Sequence, residues 1–519
     1  MPVVKSFPAF ITCLLCAARA FAVMPTDTVS HTATPVLGTQ ERMWVYASCF
    51  QLFADDVYAN PAAQFHRYDF SLSSVSLSGE YDKESQPLYY EKGDGYDAFA
   101  FDADTYIRRT DFVLWGDAAY SNSRLRNVCW NETSDPHLLY PYLTADSVGG
   151  DINKESYSFA GGYAGSAGRF AWGAQFSYAA TIAYRGVDPR PKNVTSQLSL
   201  RVGGTYLWGD YGAGIFFEGE KYKQTNDIDF YSEMGSSKVY HLTGLAMHYV
   251  RFAGNNYESY YNGYRWKAGM ELHPLSRSGW HAWGVVERFT FEKILSSLNE
   301  LPMAAVTEYR GSAGAGYKLR IDTTASWGVA VKGSYVDRRG TENIFGDASG
   351  NIYQQIASTQ PYRNRVAIFS LSGYYEGGTF KRFSYAIQPR VSNSMFSTSY
   401  AYPARSMLVN HFDVAVDLYL SYVVGRSLWR LEAGSGYRKA YDCNIAITSV
   451  EGGDDVLLPV LQHTYRSLAA DDWRVEASLC YAFSLKNDYT LAFCLAWQHR
   501  RYDIGILTHY ASTSLSLVF

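Results

Sequence analysis

Residues 510–519 read YASTSLSLVF, and their side chains alternate between two chemical classes. Successive side chains of a β-strand point to opposite faces, so this stretch has two distinct faces. One face carries Ala511, Thr513, Leu515, Leu517 and Phe519. The other face is mostly serine. An aromatic residue that closes an alternating strand is typical of the last strand of a bacterial outer-membrane β-barrel, so we expect that fold.

The same period of two recurs along most of the chain, for example over residues 170–182, 198–208, 414–422 and 429–438. In a water-soluble β-sandwich the polar face would lie outside. In lipid the apolar face contacts the acyl chains, and only a closed barrel leaves no unpaired backbone edge. The alternation therefore predicts an all-β, transmembrane antiparallel β-barrel that encloses its polar side chains.

The number of strands follows from the positions of the connections. We find nineteen alternating segments, whereas single-chain bacterial barrels have an even number of strands and short periplasmic turns. Strands counted from the N-terminal end and from the C-terminal end assign the connections to the same sides of the membrane except between residues 222 and 258. If 238–250 belongs to an outer loop, about 18 strands remain (range 14–20), and a missed strand there would give twenty. The long connections 122–153, 184–195, 339–363, 393–410 and 441–472 are then extracellular.

Composition supports the same class of protein. Aromatic residues make up 16% of the chain, including 44 tyrosines, as expected for the aromatic girdles of a barrel. No later apolar run reaches the length of about 18 residues that a transmembrane helix needs. The formal charge is −4, or −6 without Lys5 and Arg19, which makes a nucleic-acid partner improbable.

The N-terminus has the pattern of a secretory signal. Lys5 is followed by the apolar stretch 7–18 and by the small-x-small site at residues 20–22. We expect cleavage after Ala22 and delivery of the mature chain to the cell outer membrane. The sequence thus divides into a signal peptide at 1–22, an N-terminal segment at 23–65 and the barrel at 66–519.

The segment 23–65 contains one helical pattern. Tyr46, Phe50, Phe53 and Val57 recur at helical spacing. We expect a short helix, and two locations remain open for it. It enters the lumen as a hatch, or it packs in the periplasm against the barrel rim.

Two groups of residues resemble known barrels. Asn60-Pro61-Ala62 is similar to the turn that begins several Gram-negative barrels with N-terminal hatches, including long-chain fatty-acid transporters. The series WGDAAY at 115–120, WNETSDP at 130–136 and ESYSF at 155–159 resembles an uncharacterised outer-membrane β-barrel family of gut-type anaerobic bacteria, a domain of unknown function. This resemblance covers the mature chain. It implies the compartment and the fold, and no activity or catalytic residues.

Strand parity assigns a set of charged residues to the lumen. They are Arg201, Glu308, Arg310, Lys318, Lys332, Arg390, Asp417, Arg430, Glu432, Arg438, Arg474 and Glu476. As a functional set they would line a polar path and bias what passes. As a structural set they would pair across strands and form a rigid polar interior. A barrel of this width leaves a channel or encloses a plug.

Cysteines and acidic loops provide further candidate sites. Cys480 and Cys494 are predicted to lie directly opposite each other on consecutive strands, as a cross-strand disulfide, a thiol pair for a metal, or two free thiols in a packed wall. The loop 130–136 and the acidic residues Glu451, Asp454 and Asp455 could bind cations or a partner. Ordinary solvated loop chemistry is the alternative.

An enzyme is not expected, because the eleven histidines are scattered and neither HExxH nor GxSxG occurs. We therefore expect no catalytic residue, cofactor or metal. The first hypothesis is a passive or partner-driven channel or transporter for a small solute or lipid. The alternative is a structural or interaction barrel that displays extracellular loops to a partner protein or glycan. The expected partners are outer-membrane lipid and another outer-membrane or surface protein, with no nucleic acid.

Overall fold

The computed structural model describes residues 37–231, 238–252, 258–350, 352–448, 455–485 and 488–519. The predicted signal peptide and the acidic residues Glu451 and Asp454 lie outside these ranges. Residues Thr39–Phe519 form one compact unit.

Twenty-one strands occur in the described residues. They are β1 Leu72–Glu84, β2 Gly95–Arg108, β3 Phe112–Val128, β4 Thr144–Ala145, β5 Gly150–Ala167, β6 Phe170–Arg185, β7 Arg190–Trp208, β8 Tyr211–Asp229, β9 Tyr240–Gly244, β10 Met247–His248, β11 Ser259–Pro274, β12 Gly279–Leu295, β13 Leu301–Arg320, β14 Ala325–Ser349, β15 Ile352–Gly378, β16 Phe383–Tyr400, β17 Arg405–Val424, β18 Ser427–Ile447, β19 Asp472–Ser484, β20 Thr490–Tyr502 and β21 Leu507–Val518.

Eighteen of these strands form one closed wall. Each barrel strand pairs antiparallel with the next along the chain, and β1 also pairs with β21, with Leu77 opposite Leu515. Closure leaves no free sheet edge, as a bilayer requires. The predicted antiparallel barrel of 18 strands is confirmed.

The doubtful segment 238–250 is not a barrel strand. It forms β9 and β10, which make a separate three-stranded sheet with β4, and Thr144 pairs with His241. Side chains on both faces of β9 are buried, so this strand presents no apolar face to lipid. The assignment of this segment to an outer loop is therefore confirmed, and the alternative of twenty strands is wrong.

Apolar side chains face outward from the wall. Phe493, Leu495 and Leu515 remain between 44% and 48% exposed, because they lie where acyl chains would contact the barrel. No helix in the described parts of the chain is long and apolar enough to cross a membrane.

Connections at the extracellular end contain more strand than predicted. The stretch 339–363, expected to be a loop, belongs mostly to β14 and β15, which reach 25 and 27 residues. Its alternation is weak because both faces of this hairpin lie beyond the lipid. Backbone pairing nevertheless continues, as Asn343 opposite Ser358 shows.

The helices are few and short. They are α1 Thr39–Tyr46, α2 Cys49–Leu52, α3 Pro136–Leu139 and α4 Leu458–Leu468, with 3-10 turns at Asp55–Ala59, Pro61–His66, Val250–Phe252, Ser296–Leu298 and Asp455–Leu457. Most of them lie in the segments that close the two ends of the barrel.

Candidate functional site

Residues 39–66 lie inside the periplasmic end of the barrel, and we call them the plug. Helix α1 contacts β1 and β19, and α2 contacts β14 and β15. The turn Asp55–Ala59 contacts β11 and β12, and the turn Pro61–His66 contacts β3 and β5 to β8. The plug therefore touches the wall on all sides and crosses the periplasmic mouth.

The four residues at helical spacing lie in separate parts of the plug. Ser48 ends the first helical stretch and caps α2, because its hydroxyl accepts a hydrogen bond from the Gln51 backbone N–H. Phe50 and Phe53 pack with Ala330, Tyr374 and Ala386 of the wall. Val57 is buried near Tyr58. Tyr46 is partly exposed and stacks on Tyr68.

Four of the cations assigned to the lumen hold the plug. Each donates to one oxygen of the plug, and hydrogen bonds with a charged donor are among the stronger ones in proteins. The pairs are Arg201 with the carbonyl of Ala59 (3.0 Å), Lys318 with the carbonyl of Phe50 (2.9 Å), Arg430 with the carbonyl of Ala47 (3.0 Å) and Lys332 with the carboxylate of Asp56.

Asn60 of the plug is fully buried against the wall. Its amide nitrogen donates to the Glu271 carboxylate (2.7 Å) and to the Thr205 hydroxyl (3.2 Å), and its carbonyl accepts the Ala62 N–H (3.0 Å). A Cβ on Gly203 would lie 1.9 Å from the Asn60 side-chain oxygen. A glycine at this wall position thus makes room for the plug.

Most of the other predicted lumenal charges pair with each other or with wall residues. The pairs are Glu308 with Arg310 (3.1 Å) and Arg338 (2.6 Å), Arg430 with Glu432 (2.8 Å), Arg438 with Asp472 (2.5 Å) and Arg474 with Glu476 (3.8 Å). Arg390 is exposed and Asp417 is half-buried on the same wall. This arrangement combines a paired interior with charges left open to the lumen.

Cys480 lies directly opposite Cys494 on the wall, and the structure joins the two by a disulfide. Cys49 of the plug, in contrast, is a free and buried thiol. Burial, together with the nearby Glu376 carboxylate, raises the pKa of the Cys49 thiol to about 12. A protonated, buried thiol is unreactive while the plug is in place, so Cys49 can report plug movement.

Residues 85–94, 130–146, 238–252 and 458–468 close the extracellular end, and we call them the lid. Arg185 of the wall is fully buried and pairs with Glu132 and with Asp146 (2.7 Å) of the lid. Asn131, Glu132 and Thr133 are buried as well. The expectation of a solvated loop at 130–136 is therefore wrong, because its carboxylate neutralises a buried wall arginine.

Other wall residues donate hydrogen bonds to backbone carbonyls of the lid, as wall cations also do to carbonyls of the plug. The donors and acceptors are Tyr261 to Tyr142 (2.8 Å), Lys293 to Leu143 (3.0 Å), Arg338 to Tyr140 (2.8 Å) and Arg405 to Leu245 and Ala246 (3.0 Å each). Within the lid, the His463 imidazole contacts the carbonyl of Pro87 (2.7 Å). The lid is one connected layer of ordered segments.

Acidic side chains face open space in the lumen. Tyr106 on β2 donates to the plug carbonyl of Gln64 (2.7 Å), and Asp104, two residues away on the same face, is exposed. Asp104 lies opposite Asp117 of β3, which is also exposed. In the described parts of the chain no Lys or Arg nitrogen lies within 4.0 Å of either carboxylate. This acidic pair is not among the predicted lumenal charges, although the alternation of β2 and β3 places both residues on one face.

A cavity of about 710 Å³ lies against the inner face of the lid. Its lining includes the apolar wall residues Val336, Val366, Ile368, Phe396 and Met407, and the lid residues Leu245, Met247 and Leu461. Ile368 is 41% exposed even though it faces the lumen. This apolar lining could not be predicted from alternation, because residues 366–371 read VAIFSL and are apolar on both faces.

Comparison with known proteins gives a family and several distant structures. The model of a family of unknown function (DUF6850) matches residues 61–519, and no curated protein matches the chain. The chain is similar to BauA, the ferric preacinetobactin receptor of Acinetobacter baumannii, at 8% identity and a TM-score of 0.39, over 86% of this chain and 80% of the receptor. The monoaromatic hydrocarbon channel CymD is similar at 11% identity and a TM-score of 0.31, over 93% and 97%. A bacterial polysaccharide outer-membrane secretin is similar at 11% identity and a TM-score of 0.35, over 86% and 97%. Likenesses at these values assign no activity.

Proposed function

The chain belongs to DUF6850, a family of unknown function, and we propose that it is an outer-membrane channel or transporter for a small solute or lipid, gated at both ends. The plug is the periplasmic gate and the lid is the extracellular gate. Transport is passive, or is driven by a partner that displaces the plug.

The observation that carries this proposal is the open space enclosed between the two gates. Asp104 and Asp117 are exposed inside the barrel, and the lid covers a cavity of about 710 Å³. Eighteen strands enclose more volume than wall side chains alone can fill. A barrel that served only as a rigid support would not require a polar interior that is left unfilled.

The attachment of the plug supports a movable gate. The plug is held by separate polar contacts, such as Lys318 to Phe50 and Arg201 to Ala59, and by local packing of Phe50 and Phe53 on the wall. Each such contact contributes roughly 0.5–3 kcal/mol, because water replaces it after release. The wall, in contrast, is held by continuous backbone ladders. Plug release can therefore occur without unfolding of the barrel.

Planar-bilayer conductance of two refolded chains tests the proposal. One chain is the mature protein, and the other starts at Arg67 and so lacks the plug. We expect the chain without the plug to conduct roughly tenfold more or better, because the periplasmic mouth is then open. Absence of conductance and of solute flux in both chains would refute the channel.

A crosslink tests whether the plug must move. Cys49 and Ala386 belong to one buried cluster, so Ala386→Cys places a second thiol beside the plug. The background carries Cys480→Ser and Cys494→Ser, so that a reductant acts only on the new bond. We expect oxidation to lower solute flux and reduction to restore it. The same background without Ala386→Cys is the control, and equal flux in the locked and unlocked forms would contradict a moving plug.

One observation favours the alternative role of an interaction barrel. The β14–β15 hairpin carries the exposed apolar residues Ile344, Ile352 and Ile356 near its tip. Such residues suit a contact with another outer-membrane or surface protein. If neither chain conducts and the lid segments remain resistant to protease, display of this hairpin becomes the better account.

A further inference from the structure

The cavity under the lid has an apolar side and a charged side. Val366, Ile368 and Phe396 provide the apolar side on the wall, and Leu245 and Leu461 continue it on the lid. A volume of about 710 Å³ falls within the range of small-molecule sites, which are mostly apolar with a few placed polar groups.

The charged groups that line this cavity are Glu91 and Lys92 of the lid and Glu308, Arg310 and Arg338 of the wall, so cations outnumber carboxylates by one. Glu308 is buried between two guanidinium groups, 3.1 Å from Arg310 and 2.6 Å from Arg338. Arg338 also donates to the lid carbonyls of His137 (3.0 Å) and Tyr140 (2.8 Å). The Arg310 side chain is 48% exposed and keeps free N–H donors that can reach the cavity.

Charged residues are distributed unevenly around the ring of wall strands. In the order of strands around the wall, β2 and β14 lie nine positions apart among eighteen and are therefore opposite. The exposed carboxylates of Asp104 and Asp117 lie on the β2 side, whereas Arg338 on β14 and Arg310 on the adjacent β13 lie on the other. Neither aspartate lines the cavity, so both act on an anionic group only at long range, whereas Arg310 and Arg338 line the cavity and attract it directly.

On the basis of the proposed function, we infer that this cavity binds an amphiphile with an apolar body and one carboxylate, which pairs with Arg310. The body lies against Ile368 and Phe396 beneath the lid. The carboxylate completes the cluster of two arginines and one glutamate, because a guanidinium binds a carboxylate through two parallel hydrogen bonds. Removal of the apolar body from water supplies most of the affinity.

Equilibrium binding of decanoate and decanol to the mature protein in amphipol tests this inference. The two probes share their alkyl chain and differ in charge. We expect Arg310→Gln to weaken decanoate binding roughly tenfold, since one charge-assisted contact is lost, and to leave decanol binding unchanged. Arg310→Lys should restore part of the decanoate affinity. Ile368→Glu should weaken the binding of both probes.

Arg390→Gln is the matched control, because Arg390 is also an exposed lumenal arginine and does not line the cavity. Equal effects of Arg310→Gln on decanoate and decanol, or no effect on either, would overturn the inference. Conductance of the chain that starts at Arg67 with no decanoate binding would refute this site and leave the channel. Binding with the expected pattern and no conductance or flux would refute the channel and leave the site.

Discussion

At the scale of the residue, buried cations of the wall act as clamps on backbone carbonyls. Lys318 is 2% exposed and donates to Phe50 of the plug, and Lys293 is 1% exposed and donates to Leu143 of the lid. Burial of an ammonium group costs free energy unless its N–H groups donate hydrogen bonds. Each lysine therefore favours the position of the plug or lid in which its carbonyl partner is present. The same device recurs at both ends of the lumen, and release of a clamp must let water reach the freed charge.

The pH dependence of plug release is expected to depend on His66. Desolvation, with a smaller contribution from Arg108, lowers the pKa of His66 to about 4 in the seated plug. A released plug has a histidine pKa near 6.5, so it takes up a proton that the seated plug excludes. This difference in pKa stabilises the seated plug relative to the released plug. The stabilisation is complete above pH 6.5 and decreases by up to about 3 kcal/mol as the pH falls towards 4.

Bilayer conductance of the mature chain at pH 7.5 and pH 4.5 measures this effect. We expect a larger leak at pH 4.5, and we expect His66→Gln to flatten the difference. His499→Gln is the control, because His499 lies near His509 on the outer surface of the barrel. An unchanged pH response in His66→Gln would show that another group governs release.

At the scale of the element, the long hairpin of β14 and β15 differs most from expectation. Its outer part was predicted as a loop, and the structure forms paired strands up to Ser349 and Ile352. Phe345 and Tyr353 of the hairpin pack with Phe252 of the lid. The hairpin therefore belongs to the extracellular architecture and is positioned by lid contacts rather than by lipid.

Epitope insertion tests the orientation of this element. A short tag inserted after Ser349 should bind antibody on intact cells, because the hairpin tip lies beyond the lid. A matched tag in the turn at residues 321–324 should bind antibody only after the outer membrane is opened. Labelling in the reverse order would show that the two ends of the barrel have been assigned to the wrong sides.

At the scale of the whole molecule, the lumen has two unlike walls. Closure of eighteen strands places the acidic residues of β2 and β3 across from the apolar lining of β14 to β17. Small cations and an amphiphile would then favour different sides of the same interior. This asymmetry is a property of the closed ring, since strands far apart in the sequence form the two walls.

Ion selectivity of the chain that starts at Arg67 measures the acidic wall. In a KCl gradient, Asp104→Asn with Asp117→Asn should shift the reversal potential towards that of chloride, because two exposed carboxylates are lost. Asp97→Asn is the control, because Asp97 pairs with Arg126 on the opposite face of β2. An equal shift in the control, or no shift in the double variant, would remove the acidic pair from the conduction path.

Much of the fold was predictable because lipid and water impose opposite requirements on alternate side chains. The stretch 510–519 identified a barrel strand, and parity separated outward Leu515 from the inward serines. A different rule, the even number of strands with short periplasmic turns, removed 238–250 from the wall. Parity also assigned Lys318 and Arg201 to the lumen, but their partners in the plug lie 268 and 142 residues away in the chain.

The sequence by itself determined the barrel class, a count of about eighteen strands with twenty left open, and the inward or outward direction of many wall side chains, since alternation is a local period of two. Only the tertiary structure decided what fills the interior. It buried Glu132 against Arg185, seated the plug across the periplasmic mouth and left an apolar cavity beneath the lid. These features depend on long-range contacts between loops, plug and wall, and no local pattern of residues encodes which segments fold back into a cylinder.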